Sequence, residues 1–298
     1  MIIDADAAAE IIENDMLNAG GEVEIGIDRD QRRWTLVCFA EDLVDDVKPL
    51  QSDDVWLVSG GGSGVTAASI IGVANASKNA GGTFLLLGRS GLVEETSQWL
   101  DWSDEQLNSR KMALRESLIA ESESGKVTMV EWNNAWMKLT RSMDIYRTIS
   151  EIESTGNKAE YHSANVTDSG AISAAVGERI VTGIVHGAGL EESKLVADKT
   201  WSTFDLIVRV KIDGWKALTS CATGSLRFAC AFTSVAGRFG NGGQTDYAAA
   251  NSILDAEMAR LTANSECRAV AIGWTGWRDV GMATRGSIEA GFESAGIE

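Results

Sequence analysis

Val55-Trp56-Leu57-Val58-Ser59 is a short apolar run, and Gly60-Gly61-Gly62-Ser63-Gly64-Val65 follows it directly, ahead of a helix-like stretch over 64–80. A strand, a glycine-rich turn and a helix start together make an anion site. Glycine lets the backbone approach a pyrophosphate, and the helix N-terminus offers free N–H donors and a partial positive charge. Gly60, Gly62, Ser63, Gly64 and Val65 are therefore candidate phosphate contacts. Outward from this point, apolar runs recur at 83–88, 159–164, 182–189, 227–234 and 268–274, separated by helix-like stretches at 167–180, 200–221 and 245–263. Strands alternating with helices read as βαβ units, which predicts an α/β fold: a doubly wound parallel sheet with helices on both faces.

Two regions stand outside this rhythm. Residues 1–52 are acidic, contain one strand-like run (34–40, WTLVCFA), and are too short for a comfortable core of their own. They form an N-terminal appendage to a main domain over 53–298. Residues 91–157 carry helical rather than strand spacing and four of the ten tryptophans, Trp99, Trp102, Trp132 and Trp136. The spacing predicts a helical insertion after the second strand, beginning at the capping-box sequence Ser103-Asp104-Glu105-Gln106, with the tryptophans packed against the main domain.

Composition narrows the function classes. The 298 residues carry 26 basic and 43 acidic side chains, a formal net charge of −17. Such a chain has no cationic field to hold a polyanion, so nucleic acid is not an expected partner. No uncharged apolar run approaches the roughly 18 residues of a membrane helix, and the start, MIIDADAAAE, lacks the positive region of a signal peptide. Four cysteines without a C-x-x-C pair and two histidines make a metal site or a disulfide framework unexpected. Reduced cytoplasmic thiols are the simplest account.

The second strand ends in Arg89-Ser90, where a dinucleotide fold places the adenosine ribose. An acid there favours NAD, whereas an arginine with a hydroxyl suits the 2′-phosphate of NADP. The fifth run ends in Thr233-Ser234; Tyr247 stands thirteen residues later, and Asn251 four beyond it. Lys211 falls within the preceding helical stretch. Reducing a ketone needs hydride on one face and a proton for the developing alkoxide. A phenol with a pKa of about 10 needs a cationic neighbour to act at neutral pH, a role for Lys211. Ser234 can hydrogen-bond the carbonyl oxygen where charge develops.

These residues resemble the short-chain dehydrogenase/reductase pattern, with Gly60, Gly64 and Thr66 at its glycine positions. Asn251 where a lysine is usual, with Lys211 supplied from the preceding helix, is similar to the exchange in ketoreductase domains of polyketide and fatty-acid megasynthases. His186-Gly-Ala-Gly189, Asp198-Lys-Thr200 and the 234–247 segment resemble them too. The likeness covers about residues 54–285 and is strongest to the ketoreductase of polyunsaturated fatty acid synthases, which share Gly-Val-Thr in the loop and a long insertion after Leu-Gly-Arg-Ser. The resemblance implies a Rossmann fold binding NADPH, with cofactor contacts also at Asn165, Val166, Gly187, Ala188 and Gly189. It implies catalysis by Ser234, Tyr247, Lys211 and Asn251, the last orienting Lys211 or a relay water. The substrate is then a β-ketoacyl thioester on an acyl carrier protein, and the other domains of the parent synthase are partners. The acidic start and the Ala295-Gly-Ile-Glu298 ending suit a domain of a longer chain.

The sequence departs from the family at four points. Thr66 replaces the last loop glycine, and Asn165 replaces an aspartate. Leu190-Glu-Glu-Ser193 lacks a Leu-Asp-Asp marker, and Gly273-Trp-Thr-Gly-Trp277 lacks a proline. An alternative reading of the same residues is a ketoreductase-like domain that folds and docks but is catalytically silent.

Overall fold

The computed structural model of the protein describes residues 5–18, 25–27, 30, 32–35, 37, 39–40, 50–222 and 226–277; the expected 278–285 end of the family likeness and the 295–298 terminus lie outside them. The chain divides into two units, Met1–Lys48 and Pro49–Glu298. In the first, helix α1 (Ala5–Asn18) precedes strands β1 (Ile25–Ile27) and β2 (Arg33–Thr35), paired antiparallel with Gly26 opposite Trp34. The strand expected over 34–40 is therefore shorter. β1 offers only three residues to pair with, and Val37 and Phe39 lie exposed beyond the pairing. Leu36 and Cys38 of that run lie outside the described residues.

The second unit holds β3 (Val55–Ser59), α2 (Gly64–Ala76), β4 (Thr83–Gly88), α3 (Asp104–Glu121), α4 (Met129–Ser154), β5 (Lys158–Ser163), α5 (Ser169–Val176), β6 (Gly183–His186), α6 (Trp201–Ser220), β7 (Phe228–Ser234), α7 (Val235–Phe239), α8 (Thr245–Asn264) and β8 (Arg268–Trp274). Its six strands lie in the order β5-β4-β3-β6-β7-β8, every neighbour parallel. Successive strands build outward first on one side of β3 and then on the other. The switch point between β3 and β6 opens a crevice at the carboxyl ends of the strands, where such sheets bind ligands.

Side-chain alternation along the strands divides the core in two. Leu57, Leu85, Leu87 and Ile184 pack under α5, α6 and α8, whereas Val58, Phe84, Leu86 and Val185 pack under α2 and α4. Each such buried side chain contributes about 1.5–3 kcal/mol relative to exposure. Two helices are shorter than their sequence patterns: α2 stops before Asn79 (φ 61°) and α5 before Gly177 (φ 60°), both in the left-handed region. The strand expected over 182–189 closes at His186, so Gly187-Ala-Gly189 is loop.

The region 91–157 is helical, with a correction to its role. α4 is the crossover helix that the β4–β5 pairing requires, and its C-terminal half packs on the sheet through Ile149 and Ile152. The tryptophans pack elsewhere: Trp99 is buried with Leu139 and Met143, and stacks on Trp102 (5.1 Å) and Trp136 (6.1 Å). Trp132 donates from Nε1 to the Lys111 carbonyl, 2.9 Å away, under the Lys111 ammonium. They form a small core of their own between α3 and α4. The capping box at Ser103/Gln106 is present, and a second, Thr128/Glu131, starts α4.

Candidate active site

The turn after β3 is built for close approach. Gly60 sits at φ +73°, and a Cβ there would lie 2.9 Å from the Ala188 nitrogen. Ser63 caps α2 in extended conformation without a side-chain cap bond, and the first turn of α2 carries no acid. Its opening N–H groups and its dipole are thus free to meet an anion. Thr66 is buried against Gly187, where a Cβ would come within 2.1 Å of Thr66 Oγ1. The missing loop glycine is thereby compensated by a glycine on the opposite side of the contact. Gly62 faces the other way: its carbonyl accepts from Thr148 Oγ1 at 3.2 Å, and a Cβ would strike Ile145 and Tyr161.

A cleft of about 860 Å³ runs over this turn. Among the residues singled out from the sequence, Gly60, Ser63, Gly64, Val65, Arg89, Asn165, Val166, Gly187, Ala188, Gly189, Lys211 and Tyr247 line it. Gly62, Ser90, Ser234 and Asn251 are not among its lining residues. Ser90 accepts at its carbonyl from the Tyr161 hydroxyl, 2.7 Å away, while Asn165 Oδ1 accepts from the Thr167 N–H. α4 adds a wall that the sequence reading missed: Arg141, Asp144, Arg147, Thr148 and Glu151 reach the same cleft as Arg89. Burial raises the Asp144 carboxyl against the pull of Arg147, which it accepts from at 3.1 Å. The i, i+3, i+7, i+10 spacing of Arg141, Asp144, Thr148 and Glu151 marks one helix face, a signal available in the sequence.

The reacting end lies around α6, β7 and α8. Ser234 ends β7, and its Oγ accepts from the Ala236 N–H, so it caps α7 as well. Tyr247 occupies the first turn of α8. Burial pushes its phenol above the ordinary value, the neighbouring Ser234 and Asn251 side chains pull it down, and the Glu191 carboxylate raises it. Lys211 is buried in the middle of α6 and donates from Nζ to the Phe232 carbonyl at 2.5 Å. Burial pushes its pKa down to about 8, with Asp255 pulling the other way. The expected lowering of the phenol by Lys211 is not found: the groups that shift Tyr247 are burial, Ser234, Asn251 and Glu191, and burial leaves it raised. Asn251 donates from Nδ2 to the Tyr247 carbonyl at 2.8 Å, bracing that helix turn rather than Lys211. Its Oδ1 is buried without a protein partner.

Beneath these groups runs a buried relay. Ala188 N–H donates to Ser59 Oγ at 3.3 Å, and the Ser59 hydroxyl is 2.6 Å from His186 Nδ1. His186 Nε2 lies 2.9 Å from the Lys211 carbonyl, which can only accept, so the imidazole is protonated at Nε2 and accepts from Ser59 at Nδ1. Burial and the Lys211 charge push His186 down to about 3, keeping it neutral.

The KR domain family model matches residues 55–279. One polypeptide of the polyunsaturated fatty acid synthase of Thraustochytrium sp. is 29% identical over 284 residues, 92% of this chain and 10% of that protein. Mellein synthase of Phaeosphaeria nodorum is 37% identical over 105 residues, 35% of this chain and 6% of that one. The chain thus spans a tenth or less of these relatives. In fold it is similar to PlmKR1, the ketoreductase from the first module of phoslactomycin biosynthesis in Streptomyces sp. HK803 (TM-score 0.69, 22% identity, 98% of this chain and 56% of that one). It is also similar in fold to a ketoreductase domain from the bacillaene assembly line (TM-score 0.60, 24% identity, 86% and 52%). With the family match covering the whole sheet and the cleft described above, the chain belongs to the KR, or ketoreductase, domain family.

Proposed function

We propose that this domain reduces the β-keto group of an acyl thioester, carried on an acyl carrier protein, to the β-hydroxyl, with NADPH as cofactor. Its setting is a cytoplasmic polyunsaturated fatty acid or polyketide synthase, whose other domains are its partners. One observation carries the proposal: Tyr247 and Lys211 line the same cleft as the glycine turn and Arg89. The fit to a dinucleotide rests on the space that only glycine leaves at position 60, the uncapped start of α2, and the cation at the end of β4.

When bound, NADPH supplies hydride to the carbonyl carbon. Tyr247 donates its phenolic proton to the oxygen that takes up the carbonyl π pair. Ser234 hydrogen-bonds that same oxygen, stabilising charge where it develops. Lys211, when protonated, stabilises the phenolate left behind. Asn251 holds the Tyr247 turn, and its unpartnered oxygen is free to accept from a water that returns the proton. Arg89 and the arginines of α4, which line the same cleft, would hold the adenosine 2′-phosphate.

The test is NADPH oxidation with a β-ketoacyl thioester, free and carrier-bound, by the parent and by Tyr247→Phe. General acid catalysis contributes about 10²–10⁴-fold, so the variant should lose at least that while binding NADPH normally. Near-normal turnover would overturn the assignment. A parent that binds NADPH and never turns over would favour the silent structural domain.

A further inference from the structure

Lys199 and Asp246 stand 47 residues apart and form a buried ion pair, their side chains 5% and 0% exposed. Lys199 Nζ lies 2.8 Å from one carboxylate oxygen and 2.9 Å from the other, and it donates to the Glu192 carbonyl at 2.8 Å. The ammonium is thus held between the Asp246 carboxylate and the Glu192 main chain. The carboxylate has a further partner: Asp246 Oδ1 accepts from the N–H of Tyr247 at 2.9 Å. Gln244, the N-cap residue just before α8, makes no side-chain cap bond. Asp246 does that work from inside the first turn, satisfying an opening N–H and meeting the positive end of the helix dipole. Neither Lys199 nor Asp246 lines the cleft.

We propose that the Lys199–Asp246 pair is the positioning element for Tyr247, clamping the start of α8 to the 191–199 segment so that the phenol is held toward Ser234. Three further ties join the same segments: Lys194 N–H donates to the Gly243 carbonyl at 3.0 Å, and Gln244 Nε2 donates to Glu191 Oε1 at 3.1 Å and to Ser193 Oγ at 3.2 Å. These are exposed or partly exposed, whereas the ion pair is dry. Removing two charges from water is costly, so a buried pair gains little stability over an apolar one and is better understood as fixing a unique arrangement. Here the arrangement fixed is that of the main chain of Tyr247. The proposal rests on Tyr247 being the proton donor.

The test compares the parent, Asp246→Asn, the apolar double variant Lys199→Met/Asp246→Leu, and Tyr247→Phe. Each is measured for thermal unfolding, NADPH affinity by fluorescence titration, and steady-state reduction of a β-ketoacyl thioester. Misplacing a reacting group by about 1 Å can cost about a hundredfold. The double variant should therefore fold, bind NADPH within about twofold of the parent, and lose kcat by about that factor with a smaller change in KM. Asp246→Asn keeps an acceptor for the Tyr247 N–H and loses the ion pair, so its kcat should fall less. A purely structural pair would leave kcat untouched in any variant that folds. Normal kcat in the double variant overturns the proposal; if that variant does not fold, normal kcat in Asp246→Asn does so. Tyr247→Phe with parental activity would instead overturn the reading on which the proposal rests.

Discussion

His186 donates from Nε2 to the main-chain carbonyl of Lys211 in mid-α6, so a neutral imidazole on β6 sets where the ammonium of the next helix can reach. Register makes this possible: His186 stands opposite Ser59 in the parallel β3–β6 pair, and Ser59 supplies the proton that its Nδ1 accepts. Replacing His186 by Phe leaves the Ser59 hydroxyl proton without an acceptor, while the Lys211 carbonyl keeps its helical bond within α6. At about 1–3 kcal/mol for a buried unsatisfied group, His186→Phe should lower unfolding free energy by about 1–3 kcal/mol. Urea denaturation followed by tryptophan fluorescence measures it, and an unchanged midpoint would show that the relay contributes nothing.

Much of this fold was legible because the signals were local and strong. VWLVS followed by four glycines within five residues, and Tyr247 at a fixed distance from a strand-end serine, need no tertiary information. What escaped is what only packing decides. The tryptophans of 99–136 read as apolar surface seeking the sheet, yet two capping boxes start α3 and α4 so that they bury one another. α4 read as part of an insertion, although β4 and β5 pair in parallel and need a crossover between them. Asp246 gave no signal of its own, since nothing in a linear pattern shows that Lys199 closes over it.

The pairing of Gly187 with Thr66, across the contact between α2 and the loop after β6, makes a coupled prediction. A Cβ on Gly187 would lie 2.1 Å from Thr66 Oγ1 and within 2.9 Å of its Cγ2 and Cβ. Gly187→Ala alone should cost about 1–3 kcal/mol by overpacking. Thr66→Gly alone should cost about 1 kcal/mol or more in helix propensity and lost packing. The double variant should be more stable than the sum of the two losses, because the clash disappears with the side chain. Strict additivity in thermal unfolding would contradict the contact.

Arg89 gives a prediction about cofactor choice. One charge-assisted hydrogen bond contributes about 1.5–3 kcal/mol, equivalent to about 10- to 150-fold in affinity. Arg89→Ala should lower NADPH affinity by that factor and leave NADH nearly unchanged. Arg141→Ala should lower the same preference by a smaller factor, since it reaches the cleft from α4. Equal NADPH and NADH affinity in the parent protein would refute the assignment of a 2′-phosphate site.

The sharpest pH prediction belongs to Lys211. Burial holds its pKa at about 8 and raises that of the Tyr247 phenol. Across neutral and mildly alkaline pH the phenol therefore keeps the proton it must donate, while Lys211 loses its charge. Ketone reduction should fall as pH rises through about 8, with the limb visible in kcat/KM, which reports the free enzyme. The sign for stability is opposite. Unfolded lysine titrates near 10.4, so between about pH 8 and 10 the unfolded chain binds more protons at this site, and its contribution to stability rises with pH. Activity lost over that interval without loss of unfolding free energy is thus the signature of Lys211 rather than of alkaline denaturation. Lys211→Met should show a low rate with no limb near pH 8. A parental profile flat from about pH 7 to 9.5, with folding intact, would remove Lys211 from the proton chemistry.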